Sequence, residues 1–209
     1  MSAPAARAAH DALENELRSL MERGATNQAA TLALRRAGPE LLRFVVHAHG
    51  SETMGADVFS LLAEDVWRGL PAFRWECSFR TWAYALARRA SARYRRSERA
   101  HGRAIPLSEL GALSELVAEV RTRTVSRLRE ENRSAIDTLK GELDVDELML
   151  LSLRVERELS WAEIATVLAD EGEPADAAAQ ARLRKRFQLL KDRLKRRGRE
   201  LGLVPSGDG

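Results

Sequence analysis

The sequence has very few of the residues that form disulfides or bind metals, cysteine and histidine. Cys77 is the single cysteine, which excludes an internal disulfide and a cysteine-rich zinc site. The four histidines are scattered, and His47 and His49 are too close for one helical face and lack a carboxylate partner at a metal-ligand spacing. We therefore expect neither a metal nor another cofactor.

Long apolar runs and catalytic motifs are missing as well. No stretch approaches the ~20 apolar residues that cross a bilayer, and residues 1–37 lack the apolar core of a signal peptide. No Ser/His/Asp set, carboxylate pair or phosphate-cradling glycine loop is present. The sequence predicts a cytoplasmic protein without membrane insertion that is not an enzyme.

Charge is abundant but unevenly distributed. Charged residues make up 31% of the chain, yet the formal net charge is only +3. Seven arginines lie between Arg88 and Arg103, and ten lysines or arginines lie between Arg182 and Arg199. Two separated cationic blocks favour a long polyanion over a small anionic ligand.

Apolar residues recur at helical spacing throughout, and no strand-like alternation competes with them. We predict an all-α fold of two small helical domains joined by a linker. Gly38-Pro39 should end one short helix and begin the next. The predicted parts are an N-terminal helical extension (residues 1–37), a three-helix domain (38–103), a linker (104–133) and a helix-turn-helix domain (134–204).

The first candidate site combines an aromatic loop with a basic helix. Trp75 lies in the loop, Ser78 is the expected N-cap, and the helix that follows carries Trp82 and Leu86. Aromatic faces stack unpaired bases and arginines neutralise phosphates. The spacing of Trp82 and Leu86 is instead typical of a buried stripe. The predicted single-strand contacts are Arg74, Trp75, Ser78, Arg80, Arg88, Arg89, Arg93, Arg95 and Arg96.

The second candidate site is a pair of helices near the C-terminus. A capping box at Ser160 and Glu163 should open a short helix that ends at Leu168, with Ile164, Ala165 and Leu168 on its inner face. A long basic helix should start near Pro174 or Ala175. Such a pair describes a helix-turn-helix whose second helix enters the major groove. The predicted duplex contacts are Gln180, Arg182, Arg184, Lys185 and Gln188.

The order of these features resembles that of bacterial RNA polymerase sigma factors of the extracytoplasmic-function group within the sigma-70 family. The stretch from Asp57 to Leu70 resembles the helix that docks on the polymerase clamp. The block from Phe73 to Arg88 resembles the segment that opens DNA and captures the minus-ten strand. Residues 151–168 are similar to the domain that reads the minus-thirty-five box. The resemblance covers about residues 39–100 and 134–197.

The chain departs from the family pattern at three places. Ser60 and Leu61 stand where the family usually has Gln-Glu, and Arg89 stands where an Asn commonly closes the melting helix. An acidic loop precedes the last helix, and Arg182-Leu183 replaces a common Thr-Val pair.

The resemblance implies a factor that binds polymerase core and promoter DNA. Asp57, Glu64 and Asp65 would meet the clamp helices of the largest subunit, and the second-largest subunit's flap and an anti-sigma factor would be further partners. Two alternatives stay open: a helix-turn-helix regulator that binds duplex DNA unaided, and a helical adaptor whose arginine runs are solvated faces.

Overall fold

The computed structural model describes residues 3–101, 111–131, 142–170 and 172–201. Within these ranges the chain forms helices and connecting turns and no strand, which confirms the all-α prediction. Backbone contacts divide the chain into two compact units, Met1–Glu130 and Glu131–Gly209. The predicted boundaries of two sigma-type domains stay a prediction. No helix in the described ranges is both long and apolar enough to cross a membrane.

The described part of the first unit is built from five helices. They are α1 (Ala3–Glu22), α2 (Thr26–His49), α3 (Glu52–Gly69), α4 (Phe79–His101) and α5 (Gly111–Glu131), with a short 3-10 turn at Leu70–Ala72 after α3. The pair Gly50-Ser51 predicts a helix break, and the structure confirms it between α2 and α3. Gly50 ends α2 in the left-handed region at φ 62°, and the Ser51 hydroxyl accepts the first-turn amide of Met54.

Helix α2 runs through Pro39 without a break, so the prediction that Gly38-Pro39 divides two helices is wrong. Proline removes one amide donor and crowds the preceding turn. Here the cost is offset because buried residues continue on both sides of Pro39, from Ala33 and Leu34 to Leu41 and Leu42. Tertiary packing of one face thus overrides the local signal.

The core of the first unit lies where α2, α3 and α4 meet. Phe44 and Tyr84 are fully buried and meet edge to face with ring centroids 4.8 Å apart. Gly55 lets α3 approach α2 closely, since a Cβ there would lie 2.6 Å from the Cα of Val46. This contact fixes the spacing of the two helices at that point.

Helix α5 packs on the first unit within the stretch predicted as a linker. Leu113, Leu116, Val117 and Val120 are buried at helical spacing. A Cβ at Gly38 would lie 3.1 Å from Val120, so α5 lies against the middle of α2. The neighbours of this helix, residues 102–110 and 132–141, lie outside the described residues.

The described part of the second unit contains α6 (Val145–Leu151), a π turn (Ser152–Glu156), α7 (Trp161–Leu168) and α8 (Ala177–Glu200). The predicted capping box at Ser160 with Glu163 is confirmed, and the Asp-x-x-Glu spacing of Asp144 and Glu147, which also predicts a capping box, forms one at the start of α6. A regular helix from Asp144 would bury Val155 together with Leu148 and Leu151, but this prediction is wrong for Val155, which is 58% exposed. The π turn shifts the inner face, so that Leu150 and Leu153 are buried instead.

Candidate nucleic-acid interface

The aromatic loop enters α4 through a capped but strained turn. The Ser78 hydroxyl accepts the amide of Thr81 at 3.1 Å, which confirms the predicted N-cap. Trp75 has φ 59°, a left-handed conformation that bulky side chains rarely adopt. Residues held in such conformations cluster at ligand-binding sites, which makes Trp75 a candidate for function.

Three aromatic rings form a contact cluster beside the loop, in which Phe73 stacks on Trp82 and meets Trp75 at a tilt of 50°. Phe73 lies nearly parallel to Trp82, with centroids 4.7 Å apart and planes 24° from parallel. Its other neighbour is Trp75, at 4.6 Å between centroids. Trp82 therefore supports the loop from α4, and the predicted buried stripe and the aromatic site share this residue.

Two residues of α1 that the sequence analysis did not single out contact this loop. Glu14 Oε2 accepts the backbone amide of Phe79 at 2.9 Å, so a side chain from α1 satisfies the first amide of α4. Arg18 places its guanidinium 4.3 Å from the centroid of the Trp75 ring. Glu14 Oε1 also accepts a hydrogen bond from Arg18 at 2.9 Å. The only local signal was the i, i+4 spacing of the two residues.

A pocket of about 430 Å³ opens between α1 and the aromatic loop. Its lining includes Asp11, Asn15 and Arg18 from α1 and Trp75 and Ser78 from the loop. The Trp75 ring offers this space a stacking surface, and the polar side chains around it offer hydrogen-bonding partners, which suits an unpaired base. Of the residues predicted for single-strand contact, Trp75 and Ser78 line this pocket.

Arg80 faces a polar cluster rather than solvent. Its guanidinium donates to Glu40 Oε1 at 3.0 Å, and the Tyr84 hydroxyl donates to the same oxygen at 2.6 Å. His10 of α1 lies 3.0 Å from the other oxygen of Glu40. Glu40 therefore joins α1, α2 and α4, and a phosphate contact by Arg80 would compete with Glu40.

The cationic face of α4 borders α3. Arg93 donates to Asp65 at 2.8 Å, although the two residues were predicted to meet different partners. Burial raises the pKa of Asp65, and the hydrogen bond and positive charge of Arg93, with a smaller contribution from Arg89, oppose this rise. Arg89 and Arg96 are exposed and share a stripe with Arg93 at steps of four and three.

The other residues predicted to contact DNA or the polymerase in the first unit lie on the aromatic loop, α3 and α4. Arg74 is exposed and 3.5 Å from Glu76, while Arg88 and Arg95 are half-buried. Glu64 is paired with Arg68 within α3 at 2.7 Å, and Asp57 is half-buried on the same helix. The three acids predicted to contact the clamp, Asp57, Glu64 and Asp65, thus lie on one helix. Glu64 and Asp65 already have a basic neighbour.

The second unit holds α8 along one edge through three ion pairs. The pairs are Arg186 with Asp144 at 3.9 Å, Arg193 with Glu147 at 2.6 Å and Arg197 with Glu142 at 2.8 Å. The hydrogen bond from Arg193 to Glu147 raises the pKa of this arginine, so it stays charged. These three cations are engaged near α6, whereas Arg182, Arg184 and Lys185 take no part in these three ion pairs and are exposed.

The predicted duplex contacts lie on the exposed side of α8. Arg182, Arg184, Lys185 and Gln188 are exposed, and Gln180 is half-exposed. Arg184 lies 5.9 Å from the Trp161 ring, and Gln188 donates to Asp192 at 3.0 Å. Leu189 projects from the same side and is 62% exposed.

Trp161 at the start of α7 positions α8. Its ring meets Phe187 edge to face, with centroids 5.6 Å apart, and Arg154 approaches the same ring at 5.0 Å. Inside α7, Ile164 and Ala165 are buried as predicted. The short helix thus serves as a support that turns the basic face of α8 away from the core of the second unit.

Neither a metal site nor a relative identifies the chain. Within the described ranges, no three His, Cys, Asp or Glu side chains are grouped so as to hold a metal ion. The chain matches no protein-family model, no curated protein and no solved structure.

Proposed function

We propose that this chain is an RNA polymerase sigma factor of the extracytoplasmic-function group, which binds polymerase core and directs promoter recognition, DNA opening and transcription initiation. One observation carries the proposal: each unit has its own cationic helix, and the two helices have different surroundings. Helix α4 begins beside aromatic rings, whereas α8 exposes long basic side chains. Unpaired bases suit the first arrangement, and duplex DNA suits the second.

The second unit would set the register on duplex DNA. Arg182, Lys185 and Gln188 lie on the exposed side of α8, where arginine and glutamine side chains are long enough to reach base edges. Most contacts of such a helix go to phosphates, which position the protein without reading sequence. Arg184 would contribute from the edge of this face, next to Trp161.

The first unit would hold the opened strand. Trp75 would stack an unpaired base, and Arg89 and Arg96 would contact phosphates along α4. Flipping a base costs a few kcal/mol, which stacking and phosphate contacts must offset. Cys77, in the same loop, is half-exposed and would lie close to the captured base.

Core binding would use the acidic side of α3. Asp57, Glu64 and Asp65 would meet basic residues of the clamp helices, and the second unit would meet the flap. Because Asp65 is paired with Arg93, docking there would exchange an internal ion pair for an external one. The protein would act in the cytoplasm, without a cofactor and without chemistry of its own, and an anti-sigma factor would regulate it.

Run-off transcription with bacterial core polymerase tests this function. We expect a start-specific transcript from the DNA upstream of the chain's own gene only when the protein is added. Trp75→Ala should reduce this transcript on duplex DNA, and a template already mismatched over the opened region should restore part of it. Absence of a transcript with the unaltered protein would argue against the sigma assignment.

A stand-alone helix-turn-helix regulator is the second candidate. The exposed basic face of α8 favours it, because that surface needs no polymerase to reach DNA. Tight, salt-sensitive binding of the protein alone to duplex DNA, together with no core-dependent transcript, would support this candidate.

A further inference from the structure

Helix α1 contacts the aromatic loop although it lies outside the residues that carry the family resemblance. Glu14 caps the first amide of α4 at 2.9 Å, and Arg18 lies over the Trp75 ring at 4.3 Å. The pocket of about 430 Å³ has one wall from α1 and one from the loop. The N-terminal helix is therefore part of the site that the proposed function assigns to the opened strand.

The Trp75 ring has two close neighbours, and they differ in how easily they can leave. Phe73 is held from its other side by Trp82, with centroids 4.7 Å apart. Arg18 is at the surface, with its side chain 41% exposed. An incoming group would therefore displace Arg18 and leave the aromatic cluster in place.

We propose that Arg18 occupies the stacking face of Trp75 in the DNA-free protein and that an unpaired base of single-stranded DNA takes its place there. This inference rests on the proposed function, because it takes Trp75 as the residue that stacks the base. Helix α1 would then control access to the pocket, so that capture of the strand requires Arg18 to move.

The distance between Arg18 and Trp75 shows that a base would replace Arg18 on the ring and would not insert between the two. Stacked atoms lie about 3.5 Å apart, so a base between the guanidinium and the ring would need about 7 Å. The observed 4.3 Å leaves room for direct contact only. Both groups offer the base a flat surface, but the base cannot use the ring while Arg18 covers it.

Glu14 can hold Arg18 by a hydrogen bond after a base has displaced it from Trp75. It accepts a hydrogen bond from Arg18 with one carboxylate oxygen and from the Phe79 amide with the other. Arg18 can turn away from Trp75 while keeping this partner one helical turn away. The rearrangement thus needs no change in the cap of α4.

Binding of the full chain to a fluorescein-labelled, ten-nucleotide single strand of mixed sequence tests the inference. The variants are Arg18→Ala, Trp75→Ala and the double variant. Arg123→Ala serves as the matched control, because Arg123 also pairs with an acid four residues earlier, Glu119 at 3.4 Å on α5. Fluorescence anisotropy gives the dissociation constants, and thermal unfolding confirms that each variant is folded.

We expect Arg18→Ala to bind about threefold more tightly than the unaltered chain, although it loses a positive charge. Arg123→Ala should bind equally or more weakly, because loss of a cation weakens DNA binding. The double variant should lose the gain, because without the Trp75 ring nothing is uncovered.

Three results would overturn the inference. They are a loss of affinity in Arg18→Ala equal to that in Arg123→Ala, a gain that persists without Trp75, and no binding by any variant. If Trp75→Ala alone weakens binding while Arg18→Ala brings no gain, only the role of α1 fails. If Trp75→Ala has no effect, base capture by Trp75 in the proposed function fails too.

Discussion

Helices α4 and α8 are both strongly cationic, but they differ in how deeply they are buried and in which acids their arginines contact. Helix α4 lies in the core of the first unit, with Tyr84, Ala87 and Ala90 buried, and two of its arginines pair with acids of α2 and α3. Helix α8 buries only Leu190 and Gly198 among its residues and pairs along one edge. Substitutions on α4 should therefore affect both stability and binding, whereas those on the outer face of α8 should affect binding alone.

The largest expected effect lies in the packed core of the first unit. In Gly55→Ala the new Cβ would lie 2.6 Å from the Val46 backbone, which cannot move as a flexible side chain can. We expect the free energy of unfolding of the first unit to fall by about 2–3 kcal/mol. Thermal unfolding should show an unchanged transition for the second unit.

Gly38→Ala is the matched control for this substitution. Its Cβ would meet only side-chain atoms of Val120 and Phe59, at 3.1 and 3.4 Å, and alanine favours the helix. We expect a smaller loss than in Gly55→Ala. An equal loss in both variants would disprove the argument from the Val46 backbone.

The second prediction concerns the exposed face of α8. Arg182→Ala combined with Lys185→Ala should weaken duplex DNA binding about tenfold, and the slope of log affinity against log salt should become shallower by about two. Stability should stay unchanged because both side chains are exposed. Filter binding at several salt concentrations measures the slope.

Arg193→Ala provides the contrast within the same helix. This arginine pairs with Glu147 at 2.6 Å, so its loss should lower stability and leave the salt slope nearly unchanged. If Arg193→Ala changed the slope as much as the double variant does, the distinction between the paired Arg193 and the exposed cations Arg182 and Lys185 would be incorrect.

The third prediction is that mild acid destabilises the first unit selectively. All four histidines lie in that unit. Burial and the charge of Arg95 lower the pKa of His49 from 6.5 to about 4. The unfolded chain therefore takes up a proton that the folded chain excludes, and stability present above pH 6.5 is lost as the pH falls toward 4.

We expect this loss to amount to about 1 kcal/mol at pH 5, reduced from the full linkage value because His49 is partly exposed. Denaturant titrations at pH 7 and pH 5 measure it. His49→Phe keeps a ring beside Tyr94, 6.0 Å away in the native protein, and should remove most of this pH dependence. A dependence that survived in His49→Phe would assign it to another group.

The smallest expected effect concerns the pair between α3 and α4. Asp65→Asn should change stability by less than about 0.5 kcal/mol, because the lost attraction to Arg93 is balanced by relief from burying a carboxylate. Arg93→Ala should cost more, since it leaves Asp65 half-buried without this cation. Chemical denaturation of both variants measures the difference, and a larger loss in Asp65→Asn would reverse the assigned balance.

Local features of the fold could be predicted from the sequence because local residues determine them. The limits of α7, Trp161–Leu168, follow from a capping box and a short apolar face and match the prediction. The Ser78 cap and the break at Gly50 are also set by local residues, a serine hydroxyl and a glycine that adopts a positive φ. The start of α8 was placed two or three residues early, because Asp176 rather than the proline region caps it.

Features that depend on distant residues could not be predicted in this way. Pro39 reads as a helix start until the burial of residues on both sides is known. Glu14 lies 65 residues from the Phe79 amide that it caps, so no local spacing reveals it. Val155 faces solvent because a π turn changes the helical period, which an assumed period of 3.6 residues cannot show.

The unbroken passage of α2 through Pro39 has a practical consequence for dissecting the protein. A truncation at the predicted start of the three-helix domain, residue 38, would cut inside a 24-residue helix. It would remove Ala33 and Leu34 from the core, and the loss of α1 would deprive the first amide of α4 of its Glu14 cap. The first 37 residues are therefore not a detachable tail, and a shortened protein that lost activity would report on folding before it reported on function.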